Sequence, residues 1–421
     1  MYDVLVIGGG AAGFYSAIHI AEGLPNLRIA ILERGKEVLT KVRVSGGGRC
    51  NVTHAQFDPK ELSTNYPRGE KELLGPFHSY ASGDTVGFFE ERGIALNIED
   101  DGRMFPTSNS SQTIIDCFTT EADRLGIEVH TRCAVVGLEV GTGVDENCWH
   151  VRTHADILKT RYVLMATGSN PKMWDLLDQL GHTIVQPVPS LFTFNITDER
   201  IADIPGLSTM AEVTVLDKKL LGSKVNKDGT LVSEGPLLIT HWGMSGPAIL
   251  KLSAWGARLL KQYNYSFQIS LNWVPEYHPE GVLDLFMEVK QVERKTVSRT
   301  KVLEVPKRLW KNLVRASGIS DTETWPEVSK QQLQQLAEQL THGVFQVNGK
   351  STFKEEFVTA GGVELKEINF KTYESKLLPR LFLAGEIINV DAITGGFNFQ
   401  NAWTGGYLAA QGIIQSETVN K

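Results

Sequence analysis

Gly8, Gly10 and Gly13 stand in the spacing G-x-G-x-x-G within Gly8-Gly9-Gly10-Ala11-Ala12-Gly13, and Glu33 follows 20 residues after the last of them. Each residue type has a mechanical use if the ligand is a dinucleotide. Gly8 permits a tight turn, Gly10 lets backbone approach a pyrophosphate, and Gly13 lets a helix pack closely on a strand. Free N–H groups at a helix start, with the helix dipole, favour phosphate charge. A carboxylate such as Glu33 at the tip of the next strand can accept hydrogen bonds from both ribose hydroxyls. That choice disfavours a 2′-phosphate and leaves FAD or NAD.

The elements needed to position these residues are present in order. Residues 3–7 form a short apolar run, read as a buried parallel strand. Phe14, Ala17, Ile18 and Ala21 recur at helical spacing over roughly 11–23. Arg28-Ile29-Ala30-Ile31-Leu32 reads as the second strand, ending at Glu33. The complete βαβ series separates this pattern from an ordinary glycine turn.

Further along, Lys41-Val42-Arg43-Val44-Ser45-Gly46-Gly47-Gly48-Arg49-Cys50-Asn51 supplies a glycine run between basic residues. Read as a loop, it suits close approach to an anionic or planar ligand. Leu381-Phe382-Leu383-Ala384-Gly385-Glu386 reads as an apolar strand closing on an acid. Asp391 follows, and Gly395-Gly396 opens a helix expected over about 398–413. Amides at such a helix start can face flavin pyrimidine oxygens and stabilise reduced flavin. Arg161-Tyr162-Val163-Leu164-Met165-Ala166-Thr167-Gly168 is a further strand returning beside the first, preceded by a hairpin of 134–140 with 149–154. A cofactor reaching from the first glycine turn to the last helix would be FAD.

The ordered motifs GGGAAG, Glu33, KVRVSGGGRCN, GRMFP (102–106), ATG (166–168), HWGMSGPA (241–248), TAGGV (359–363) and LAGEIINVDAITGGFNFQNAW (383–403) carry a resemblance. Nearly the whole chain resembles the BaiN-like family of bacterial flavoproteins, NAD(P)/FAD-dependent oxidoreductases and aminoacetone oxidase relatives in the glutathione reductase-type FAD-binding superfamily. GGGRCN and TGGFNFQ are the most specific segments. The resemblance implies that Glu33 binds the adenosine ribose and that Gly8, Gly10, Ala12 and Gly13 line the pyrophosphate. It places Lys41, Ser45, Gly46 and Gly47 along the cofactor, with Val135 offering backbone to adenine. Asp391, Gly396, Phe397 and Asn398 would lie by the ribityl chain and flavin ring. Ala11, Arg34, Arg49, Asn51, Ala166, Thr167, Gly168, Gly385, Glu386 and Gly395 complete the candidate set. Family members often carry Tyr where this chain has Phe397, so a polar role is lost there.

The implied fold class is α/β. A glutathione reductase-like Rossmann domain (1–190 plus 356–421) is interrupted by an inserted β-barrel or sandwich domain (191–275 plus 343–355) and a small helical subdomain (276–342). Alternating runs at Glu212–Leu216 and Ser266–Asn272 and a turn at Lys227-Asp228-Gly229 support the strands; 248–261 and 330–340 read as helices. The insertion would cap a substrate over the flavin. No second G-x-G-x-x-G follows Ala166-Thr167-Gly168, so NAD(P)H, if it is a transient electron donor, has no Rossmann domain of its own.

No residue is assigned to catalysis. His241 could act as a base near neutral pH, but a turn-bonding histidine is the simpler reading. Cys50 has no neighbouring partner and reads as a buried thiol rather than a redox centre. Arg49 could touch cofactor or an acidic substrate, or form an ordinary salt bridge. His54 and Trp403 could border the pocket. The four cysteines form no Cys-x-x-Cys pair, so no dithiol or metal site is expected.

Sparse cysteines, no basic leader before the first strand, and no apolar run near the roughly 18 residues of a membrane span point to a cytoplasmic protein without membrane partners. A net charge of −7 over 421 residues argues against a general nucleic-acid partner. The expected activity is FAD-dependent oxidation or reduction of a small molecule, by C=C reduction or amine oxidation. The alternatives are a tRNA-modifying flavoprotein, which would carry a basic docking surface, and a flavin-bound regulator without turnover.

Overall fold

The computed structural model describes all residues except 143–147, 217–230, 352–357 and 420–421. The turn expected at 227–229 and the boundary expected at 355/356 lie outside the described residues. The chain divides into two compact units, Met1–Val188 with Lys354–Lys421, and Pro189–Phe353. Among the described residues, no helix is long and apolar enough to cross a membrane.

The first unit is built on a parallel sheet. Tyr2–Ile7 lies at its centre, flanked by Ile29–Leu32 on one side and Ile157–Met165 on the other. Glu128–His130 extends the sheet beyond Ile29–Leu32, and Leu381–Leu383 extends it beyond Ile157–Met165. Numbered along the chain, these five strands stand in the order 3-2-1-4-5, the doubly wound arrangement whose order reverses beside the first strand. Val4, Leu5 and Val6 are fully buried, as a strand covered on both faces requires. The hairpin of Val135–Val140 with Trp149–Thr153 adds to the sheet through Ile157–Met165.

Two helices define the site. Ala11–Gly23 follows the first strand, and Phe397–Val419 closes the chain, ending six residues later than expected. The extra length has a tertiary cause: buried Glu417 accepts from Arg161, Nη1 to Oε1 at 2.7 Å. The two helices pack directly. A β-carbon on Gly406 would stand 3.0 Å from the Ala12 carbonyl oxygen, and one on Gly23 would stand 2.4 Å from Ile414 Cδ1. Early thus meets early and late meets late, so the helices run parallel. A buried aromatic cluster of Tyr15, Phe118 and Trp403 fills the same interface, with Tyr15 and Trp403 centroids 5.0 Å apart.

The second unit has a seven-stranded antiparallel sheet. Its outermost strands, Gly343–Asn348 and Lys350–Ser351, are joined through Gly349 alone, so the sheet curls round as a partial barrel. The expected helix over 248–261 is two helices, Pro247–Trp255 and Ala257–Gln262. They meet at Gly256, where any β-carbon would collide with Leu231 Cδ2 at 2.5 Å. Helices Pro279–Val292, Lys307–Ala316 and Lys330–Thr341 follow. Their buried residues, among them Phe286, Leu313 and Leu336, belong to one core with the strand residues Val213, Ile269 and Phe345.

Candidate functional site

The first strand ends where the sheet order reverses, and there its glycine turn meets the Ala166-Thr167-Gly168 segment. Gly8 has φ +111°, and a β-carbon on it would lie 2.4 Å from the Ala166 carbonyl oxygen. A β-carbon on Gly13 would lie 2.0 Å from the Gly8 carbonyl oxygen. No other residue fits either position. Gly10 differs: it caps the helix N-terminus, and a β-carbon there would meet nothing within 4 Å. Open space therefore borders the amides that start the helix at Ala11 and Ala12.

Glu33 stands at the end of the second strand with its carboxylate fixed. Gly9 N–H donates to Oε2 at 2.9 Å, and Gly35 N–H donates to Oε1 at 2.6 Å. A carboxylate oxygen has a second lone pair, so both can still accept from a ribose. Arg132 N–H and Cys133 N–H donate to the carbonyls of Gly35 and Glu33, each at 2.8 Å, which brings the Val135 strand to this end of the site. Arg34 is exposed beside it.

The glycine-rich segment expected as a loop is a short helix, Thr40–Gly48, interrupted at its end. Val42 is buried and anchors it, while Ser45 is extended and Gly46 and Gly47 have φ +58° and +69°. A β-carbon on Gly47 would meet nothing within 4 Å. Lys41 projects from the first turn and its Nζ pairs with the Glu386 carboxylate. Gly168 is close by, since a β-carbon on it would be 3.6 Å from Glu386 Oε2; one on Gly385 would lie 3.3 Å from Ala12 Cβ. Residues 345 positions apart thus converge beside the glycine turn.

The last helix starts nine residues before Gly406, its contact with Ala12. Ala12 lies one residue, and Gly23 twelve, past the start of their helix, while Ile414, which Gly23 meets, lies seventeen past the start of its own. At 1.5 Å per residue the last helix therefore overhangs the dinucleotide helix by roughly 8–12 Å. This offset separates a helix start suited to pyrophosphate from a second one farther along the site. Gln400 N–H makes the first intrahelical bond, to Gly396, so the amides of Phe397, Asn398 and Phe399 precede the helix ladder.

The loop before this helix is pinned from several sides. With its amide oriented to satisfy both neighbours, Asn51 donates to the Thr53 carbonyl at 3.0 Å and accepts from Gly396 N–H at 2.9 Å. The Gly396 amide is therefore taken by protein. Asn398 accepts from Ala392 N–H at 3.0 Å and donates to the Ala392 carbonyl at 3.2 Å. Tyr66 Oη donates to the Phe397 carbonyl at 2.6 Å. Gly395, with φ +136°, lies against Phe397 and His54, and the His54 ring stacks on Phe397 at 4.5 Å between centroids. Trp403 is fully buried and donates to the Val52 carbonyl at 2.8 Å, so it supports the site from below.

Asp391, expected beside the ribityl chain, has no exposed surface. Its carboxylate faces Arg68, whose Nε donates to Oδ1 at 2.5 Å and whose Nη2 pairs with Oδ2. A side chain so enclosed anchors its loop and presents nothing to a ligand. Arg49 is likewise engaged: Nη1 is 2.6 Å from Glu99 Oε1 and the guanidinium lies 3.8 Å from the Phe105 ring centroid. Cys50 is buried, and burial pushes its thiol up to about 12, so at neutral pH it is neither a thiolate nor a ready redox group. His241 is exposed, in the turn between Val232–Thr240 and Gly243–Ser245 of the second unit.

One arrangement that sequence reading missed imitates a hydrolase. His182 Nδ1 lies 2.8 Å from Glu367 Oε2, and Ser375 Oγ lies 3.0 Å from His182 Nε2. His182 and Ser375 are buried, however, and Ser375 Oγ already accepts from Leu377 and Leu378 N–H at 3.1 and 3.0 Å. No carbonyl can reach it, and the triad is a structural tie.

The arrangement fits an extended FAD. Gly10 and Gly47 border open space, and Glu33 is held ready for a ribose. Thr167 Oγ1 is buried and has no hydrogen-bond partner among the described residues, as a polar atom awaiting a ligand would be. Together the Rossmann sheet, its glycine turn at the point of reversal and the second, offset helix start define an FAD-dependent oxidoreductase. The chain belongs to the HI0933-like protein Rossmann domain family, which matches residues 2–412. It is 28% identical over 428 residues to the ribosomal RNA dihydrouridine synthase of Escherichia coli, covering 99% of each chain. It is 26% identical over 424 residues to the 3-dehydro-bile acid delta(4,6)-reductase of Clostridium scindens, covering 99% of this chain and 100% of the other. In fold it is similar to the open conformation of a flavocytochrome c3 fumarate reductase, with TM-score 0.50, 16% identity, and coverage of 98% of this chain and 78% of that one.

Proposed function

We propose that the chain reduces a carbon–carbon double bond conjugated to a carbonyl group. The observation that carries this reading is the amide-lined start of Phe397–Val419, offset by roughly 8–12 Å from the start of the dinucleotide helix and locked by Asn51, Asn398 and Tyr66. Bound FAD would supply the hydride. The amides of Phe397, Asn398 and Phe399 stabilise negative charge developing opposite them, as preorganised donors do without reorganisation. Glu33 and the open space at Gly10 would hold and orient the cofactor.

The names of two full-length relatives support reduction over amine oxidation. Dihydrouridine is a uracil ring with its C=C bond saturated, and a delta(4,6)-reductase saturates ring double bonds. The shared chemistry is hydride addition to an electron-poor ring alkene. The test is anaerobic: reduce the reconstituted flavoprotein photochemically, then add a 4,6-dien-3-one steroid, a uridine-containing RNA, or buffer. Reoxidation with a product two mass units heavier supports the reading. Flavin bleaching of the oxidised protein by amines, with no reoxidation by either alkene, would sink it.

A further inference from the structure

We infer that a basic face on the helical part of the second unit docks RNA through its phosphate backbone. Between residues 294 and 315 stand eight lysines and arginines and a single acid, Glu304, in a chain whose net charge is −7. All eight basic residues are exposed. Four of them, Lys307, Arg308, Lys311 and Arg315, lie on helix Lys307–Ala316 at spacings that share one side. The opposite side, Leu309, Trp310, Leu313 and Val314, is buried in the core. The apolar side is therefore used by the fold and has nothing to insert into a lipid layer, while the charged side is left to solvent.

The face has relief as well as charge. A cavity of about 560 Å³ opens beside the helix, lined in part by Arg299, Lys301, Lys307 and Trp310. Acids border it without neutralising it. Lys301 Nζ is 2.7 Å from Glu304, Arg315 Nη2 is 2.5 Å from Asp321, and Lys311 Nζ is 3.5 Å from Asp321. Glu293 lies 3.8 Å from Lys295 Nζ. Arg294, Arg299 and Lys307 stand among them as exposed cations. A concentration of one sign of charge on an acidic protein suits a polyanion, and phosphate neutralisation releases counterions. The overall charge that argued against nucleic acid is an average, and it hides this distribution. The proposal deepens the reductase reading by naming the carrier of the reducible ring as a nucleic acid, yet docking is measured without turnover, so either can fail alone.

The test uses the full-length flavoprotein and a fluorescein-labelled RNA stem–loop, followed by anisotropy across a potassium chloride series. Wild type should bind, with affinity falling steeply with salt. The double variant R299E/K307E should bind at least tenfold more weakly and lose about two from the salt slope. Its flavin spectrum and its reoxidation by the dienone should match wild type, which shows that it is folded. Equal binding by wild type and variant, or binding to phosphatidylglycerol vesicles but not to RNA, would overturn the proposal.

Discussion

Gly406 and Ala12, 394 positions apart, touch backbone to backbone: a β-carbon on Gly406 would lie 3.0 Å from the Ala12 carbonyl oxygen and 3.4 Å from Ser16 N. This contact sets the offset between the two helix starts, and through it the distance between the pyrophosphate and flavin ends of the site. Gly406→Val should push the helices apart at a cost of about 1–3 kcal/mol, the range for overpacking. We expect a folded protein that loses most of its flavin on gel filtration. Full retention of the 450 nm chromophore would mean that the contact does not set the site.

Glu33 is preorganised by two backbone amides. Hydrogen bonds to a charged group contribute about 1.5–3 kcal/mol, so Glu33→Ala should weaken FAD binding roughly 10- to 100-fold. FMN, which has no adenosine ribose, should bind wild type and variant alike. Titrations by flavin fluorescence quenching check this, and equal FAD affinities for the two proteins would contradict the assignment.

Arg68 and Asp391 form a buried ion pair beneath the loop that starts the last helix. Arg68→Met removes the counter-charge and should cost about 3–5 kcal/mol, whereas adding Asp391→Leu should recover much of the loss. Urea unfolding of the two single variants and the double variant measures the coupling. Additive losses would show that the pair does not act as a unit.

The sequence exposed whatever is local. Gly8, Gly10, Gly13 and Glu33 fall within a single βαβ unit whose strand and helix periods are plain, and the structure forms that unit with the same helix bounds. It did not expose pairings across the chain. Nothing near Asp391 announces Arg68, whose guanidinium takes up the Asp391 carboxylate away from solvent. Nothing near Gly396 shows that Asn51 takes its amide. The end of the last helix depends on Arg161 reaching Glu417, 256 residues away. A sum over the chain likewise carries no information about where charge sits on a folded surface.

His19 offers a pH-dependent test of this packing. It lies on the dinucleotide helix, edge-on to Tyr407 at 5.0 Å and close to Tyr15 and Phe88. Burial, reinforced by the Arg92 charge, pushes its pKa down from 6.5 to about 3. Between these two values the unfolded chain binds a proton that the folded protein refuses, so folding stability falls as the pH drops from 6.5 towards 3. At 1.36 kcal/mol per pH unit, the loss attributable to His19 is about 3 kcal/mol by pH 4. His19→Phe keeps an aromatic ring in the same cage and removes the titration. The stability of the variant relative to wild type should therefore rise steadily on acidification from pH 7 to pH 4, because the carboxylates common to both proteins cancel in the difference. Urea midpoints at five pH values would reveal it, and parallel curves for the two proteins would show that His19 titrates alike in the folded and unfolded chains.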